Sequence, residues 1–138
     1  MDIFFVNNIL LLITLSRNID LTSTIHLPTH KYRGIFKDFW CIYVIYLKCG
    51  FKISTVHADG EFAPVREIIS KISSGPMVNL TSANKYVLKT EQIVWVGKER
   101  RRDDRHSLTF MRLPVILTIN IVFKNVNILV YFLITSGI

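Results

Sequence analysis

Cysteine is scarce in this 138-residue chain, which has only Cys41 and Cys49. Two thiols cannot build a disulfide framework. Both lie in an apolar stretch, where a reduced thiol behaves as a small core side chain, so the sequence predicts buried cysteines and an intracellular, reducing setting. Internal repeats and low-complexity segments are lacking as well. Half of the residues are hydrophobic, 20% are charged, and the mean hydropathy is +0.35. That composition excludes a disordered tail and collagen-like sequence, and the length suits one domain over residues 1–138 with a core of its own. Acidic residues are the minority charge, 10 against 17 Lys and Arg, for a net +7. A surplus of this sign on a small domain favours an acidic partner, either nucleic acid or anionic lipid.

Long uninterrupted apolar runs are also rare. Residues 9–15 form one that is shorter than the roughly 20 residues of a spanning helix. Asp2 stands before it where a signal peptide needs basic residues. Residues 113–133 have spanning length but include Asn120, Lys124, Asn125 and Asn127. A Lys at the centre of a span costs about 2.5–3.5 kcal/mol. Leu117, Ile121, Lys124 and Ile128 follow one helical period, and Ile116, Ile119, Phe123, Val126 and Val130 form another apolar stripe. The expectation is a buried amphipathic helix. A small membrane protein that spans at 113–133, with the arginine run before it as its cytoplasmic flank, remains an alternative.

What is present reads as a mixed α/β domain. Ile3-Phe4-Phe5-Val6 is a short strand, and Asn7-Asn8 is a turn. Residues 9–15 form a strand apolar on both faces, as a central strand covered on two sides requires. Residues 19–27 alternate as a third strand that Pro28 ends, which gives an antiparallel meander. Residues 34–48 read as a helix with Gly50 just past its end. A strand over 51–57, a helix opened by Pro64, a short strand over 77–80, a long polar helix over 85–104 and a helix after Pro114 follow. The order βββ-α-β-α-β-α-α predicts a mixed sheet with helices on both faces.

Few residues carry chemistry. Asp2 opens the first strand, Asp59 ends the fourth, and Glu91 lies 32 positions later on the polar helix. Acids so placed can converge at a sheet edge and hold two hard cations. The same three residues also suit a terminal charge, a turn former before Gly60 and a solvated helix face. The residues 98–106, Lys-Glu-Arg-Arg-Arg-Asp-Asp-Arg-His, are the densest basic cluster. They read as a solvated helix end or as a phosphate-contacting patch that Lys89 extends along the helix. His26 and His30 with Cys41 and Cys49 imitate a zinc module. The cysteines have seven residues between them against the usual two to four or so, and His26 falls in a strand. Zinc is not expected.

Several motifs then occur in order. The stretch Gly50-Phe51-Lys52-Ile53-Ser54-Thr55-Val56-His57-Ala58-Asp59-Gly60-Glu61-Phe62 resembles the integrase core of copia-type retrotransposons in its compact ADGEF form. So do Val78-Asn79-Leu80-Thr81-Ser82-Ala83-Asn84, Lys98-Glu99-Arg100, and His106-Ser107-Leu108 through Leu113-Pro114 to Ile119. The opening Asp2-Ile3-Phe4-Phe5-Val6-Asn7 followed by Leu15-Ser16-Arg17 is similar to the first two strands of that core. The resemblance implies an RNase H-like fold, a five-stranded mixed sheet with helices on both faces, that begins inside its first strand as a piece of a longer polyprotein. It implies a D,D,E triad of Asp2, Asp59 and Glu91 as catalytic residues and metal ligands. Two Mg²⁺ (or Mn²⁺) ions and phosphoryl transfer in 3′-end processing and DNA strand transfer go with that triad. Element ends and target DNA would be the partners, contacted by Lys89, Lys98, Arg100, Arg101, Arg102 and Arg105. A homo-oligomer, a nuclear location and no membrane association are implied too. Gln92 stands where the family usually has Arg, and Val94-Trp95 replace more polar helix positions. A catalytically dead nucleic-acid-binding remnant of the same fold is therefore the second reading.

Overall fold

The computed structural model describes residues 1–19, 21–80, 87–107 and 112–135, without the side chains of 87–91, 97, 105 and 126–135. Strands β1 (Asp2–Val6), β2 (Ile9–Leu15) and β3 (Thr22–Leu27) form an antiparallel sheet in that order. Asn7 and Asn8 turn β1 into β2 with φ of 49° and 63°. Two consecutive left-handed residues are what a two-residue hairpin of matching twist needs, and Asn tolerates that region. Helix α1 (Tyr32–Lys48) follows, with Gly50 at φ 83° beyond its cap. Gly50 N–H donates to Leu47 O (3.0 Å) and Phe51 N–H to Tyr46 O (2.9 Å), the Schellman pattern that closes a helix on a left-handed glycine.

Strand β4 (Thr55–Ala58), a 3₁₀ turn (Gly60–Phe62), α2 (Ala63–Ser70) and β5 (Met77–Leu80) form a parallel βαβ unit. Helices α3 (Val87–Ser107) and α4 (Val115–Thr135) end the chain. The order of elements is the expected one. The strand ladders fall into a three-stranded antiparallel and a two-stranded parallel sheet, where the sequence predicts five strands in one. A hydrogen bond from Met1 N to His57 O (2.6 Å) links the start of β1 to β4.

Packing explains why β2 is apolar throughout. Leu10 and Leu12 enter one core with Phe39, Ile42 and Tyr43 of α1 and with Val56, Val65 and Val78 of the βαβ unit. Ile9, Leu11 and Ile13 enter a second core with Phe4 and Val6 of β1, Ile119 and Val122 of α4, and flanking Ile93 and Val94 of α3. Alternate side chains of one strand thus serve two layers, and helices lie on both faces. The first core is shared by both sheets, which holds β4 against the meander.

Three expectations need correction. Cys41 and Cys49 are exposed: α1 buries Ile35, Phe39, Ile42, Tyr43 and Tyr46, and Cys41 lies off that stripe while Cys49 is at the cap. In α4, Thr118, Ile119, Val122 and Asn125 are buried, whereas Ile116 and Leu117 are exposed. The face of α4 that meets the sheet keeps Ile119 and Phe123 of the second stripe but adds Thr118, Val122 and Asn125, which lie on neither. Strands β3 and β4 are also shorter than the sequence suggests, since residues 19 and 21 are exposed and 51–54 form no ladder. Among the described residues, no helix is long and apolar enough to cross a membrane.

Candidate functional site

The link between β1 and β4 decides where the acids lie. Asp2 is the first residue of β1, paired in register with Ile13 of β2. Its Oδ1 accepts a bond from Ile3 N–H at 2.8 Å. Asp59 directly follows β4 and caps the 3₁₀ turn, with Oδ1 accepting from Glu61 N–H at 3.3 Å. Because Met1 N meets His57 O, the two strand ends lie at one edge, and the charge of Asp59 reaches the Asp2 carboxyl. Burial pushes the Asp2 carboxyl above the ordinary aspartate range, and the charges of Asp59 and Glu61 push it the same way. The Ile3 amide and the Met1 ammonium oppose that shift without cancelling it. Both Asp2 and Asp59 are half-buried.

Repulsion among nearby carboxylates is what a hard divalent cation relieves, and oxygen donors suit Mg²⁺ better than zinc. The donor set present, Asp2 with Asp59 beside it, therefore fits the implied metal as a pair. Among the described residues, no group of three or more His, Cys, Asp or Glu side chains is arranged to hold a metal ion. Glu91, the expected third member, lies on α3, but its side chain is outside the described residues. Its neighbour Gln92 lines an open groove with Asp2, Ile3 and Phe5 of β1 and with Trp95 and Lys98 of α3. The turn of α3 that carries Glu91 thus flanks the strand that carries Asp2. Glu61, inside the ADGEF motif, is an acid that spacing did not single out; its Oε2 also lies 3.5 Å from His30 Nε2.

The basic residues divide. Lys98 lines the groove that Asp2 also lines. Arg101 Nη1 donates to Asn7 Oδ1 at 2.9 Å, which ties α3 to the β1–β2 turn. Arg102 Nη1 pairs with Glu99 Oε1 at 2.6 Å one turn away, an exposed pair of little energetic weight. Arg100 is half-buried, and the side chains of Lys89 and Arg105 lie outside the described residues. The run is thus partly a docking device for α3. His26 sits in β3, while Cys41 and Cys49 are exposed on α1 and at its cap.

A second concavity of about 310 Å³ opens on the other side of Asp2, between the end of β2, α1 and the 51–58 segment. Asp2 therefore stands at the junction of two depressions, which is accessible ground for a substrate. No family model matches the chain, and no curated protein matches it.

Proposed function

We propose that this chain is an RNase H-like, integrase-type domain that carries out metal-dependent phosphoryl transfer on DNA. The observation that supports it most is the meeting of Asp2 and Asp59 at adjacent strand ends, with the Asp2 carboxyl raised by burial and by its acidic neighbours. The five-stranded sheet of such a domain would read β3-β2-β1-β4-β5, with β1 and β4 as the junction. The bond from Met1 N to His57 O and the core common to both sheets support that order.

Asp2, Asp59 and Glu91 would hold the metal. Mg²⁺ or Mn²⁺ held there would supply Lewis-acid stabilisation to a phosphodiester. Asp2 and Asp59 bring negative charge to a half-buried edge, and this charge keeps phosphate away unless cations are present. Lys98 on α3 offers a cation in the groove beside β1, and Lys89, Arg100, Arg101, Arg102 and Arg105 belong to the same helix. Phosphate contacts of this kind position DNA without reading sequence. The chemistry needs no covalent bond between protein and substrate. Element ends and target DNA are the proposed substrates, a homo-oligomer the proposed working form, and the nucleus the proposed place of action.

The experiment is a nicking assay on supercoiled DNA with Mg²⁺ or Mn²⁺. The wild-type chain should nick, and Asp59→Asn and Glu91→Gln should fall to background while still binding DNA. DNA binding without nicking under either cation would leave the catalytically dead remnant as the function. Nicking that survives both substitutions would overturn the site.

A further inference from the structure

We infer that the groove between β1 and α3 is a base-stacking subsite for single-stranded nucleic acid, with Trp95 as its platform. Trp95 is 63% exposed and Phe5 58% exposed, and both line the same open groove, of about 940 Å³. Large aromatic side chains normally hide most of their surface. Here the preceding residues Ile93 and Val94 pack into the second core, so the helix is anchored and its indole is nonetheless presented outward. A ring held on a rigid helix stacks a base at little conformational cost.

The chemistry around the ring selects the ligand. Lys98 lies one turn beyond Trp95 in the same groove, and Arg101 lies one further turn along α3. An aromatic face followed by cations along one helix is the pairing that takes a base and then its phosphates. Asp2 lines the same groove at the start of β1, the far end from Asn7, which Arg101 meets; it repels a phosphate there, which favours the strand with its base over Trp95 and its backbone toward Lys98. The net charge of +7 favours a nucleic acid over an apolar protein partner. A single strand is required because a base inside a duplex already has both faces stacked. The inference takes its ligand class from the proposed action on DNA but does not depend on catalysis.

The chain has two tryptophans, Trp40 and Trp95, so Trp40→Phe leaves Trp95 as the sole indole reporter. The probe is a dye-labelled oligothymidylate of about ten nucleotides, within the usual range of single-strand sites, at low salt with EDTA. Titration should quench Trp95 emission. In an otherwise wild-type chain, Trp95→Ala should weaken binding roughly 5- to 150-fold, as loss of one stacked base does, and Trp95→Phe should recover most of it. A blunt duplex should bind without that sensitivity. Unchanged Trp95 emission while anisotropy reports binding would overturn the inference. So would equal affinity of Trp95→Ala, or a concentration-dependent dimer that buries Trp95. These outcomes are independent of the nicking assay, so either proposal can fail alone.

Discussion

Leu11 and Leu12 are adjacent in β2, and both are fully buried. In a sheet covered on one face only, one of them would face water. Here Leu12 lies in the core built by α1 and the βαβ unit, and Leu11 in the core built by α3 and α4. Truncation of a buried Leu to Ala loses the transfer energy of the removed carbons and leaves a cavity, about 2.7–5.0 kcal/mol in total. Against a domain stability of about 5–15 kcal/mol, either substitution is severe. For a chain of this length it corresponds to a fall of roughly 10–15 °C in Tm. Leu47→Ala on α1 is the matched control: the same atoms are removed from a side chain 46% exposed, and the change should stay within about 0.5 kcal/mol. Urea unfolding followed by far-UV circular dichroism measures all three. A Leu11→Ala cost no larger than that of Leu47→Ala, beside a full cost for Leu12→Ala, would refute the reasoning. It would mean that α3 and α4 are not packed on β2, and Glu91 would then have no reason to lie near Asp2.

Two further perturbations probe the site and its support. The Asp2 carboxyl is raised in the folded chain by burial first and by Asp59 and Glu61 after it, so the native state binds that proton more tightly than the unfolded state. Stability then falls as pH rises from the ordinary aspartate value through the raised one, and the full penalty persists at neutral pH. Asp2→Asn, which keeps an oxygen for Ile3 N–H, should therefore raise Tm at neutral pH and match wild type in acid below the ordinary aspartate range. Mg²⁺ should stabilise wild type and not Asp2→Asn in the same thermal scans. Asn125, buried in α4, donates through Nδ2 to Asp104 Oδ2 of α3 at 3.3 Å. Asn125→Ala should cost about 1–3 kcal/mol in urea unfolding, and Asn125→Asp should cost more at neutral pH through repulsion of Asp104.

Much of the fold is legible along the chain because its signals are local. The Asn7-Asn8 turn, the uniform apolarity of β2 and Gly50 past α1 each follow from neighbours a few residues away. What the chain does not reveal depends on faces and distances. Cys41 has apolar neighbours on both sides, yet a helix turns it away from the stripe through Phe39, Ile42 and Tyr46. Helix α4 carries apolar residues on several faces, so its contact face, through Thr118, Ile119, Val122 and Asn125, is set by what it packs against and only in part by its own period. The nearness of Asp2 and Asp59 rests on contacts far apart in the chain, such as Met1 N to His57 O, which no spacing rule supplies. Trp95 stands out in sequence as a departure from a polar position, but its exposure beside Asp2 and Lys98 follows only from how α3 lies along β1.

The central claim is that Asp2, Asp59 and the Glu91 turn of α3 share a divalent cation. Mn²⁺ titrated into ¹⁵N-labelled protein tests it directly, because the ion broadens the amide signals nearest to it. Broadening should begin together at Ile3, Gly60 and Glu61 and at the α3 amides around residue 91, and should disappear in Asp59→Asn. Broadening centred on Asp103 and Asp104 instead, or unchanged by Asp59→Asn, would contradict it.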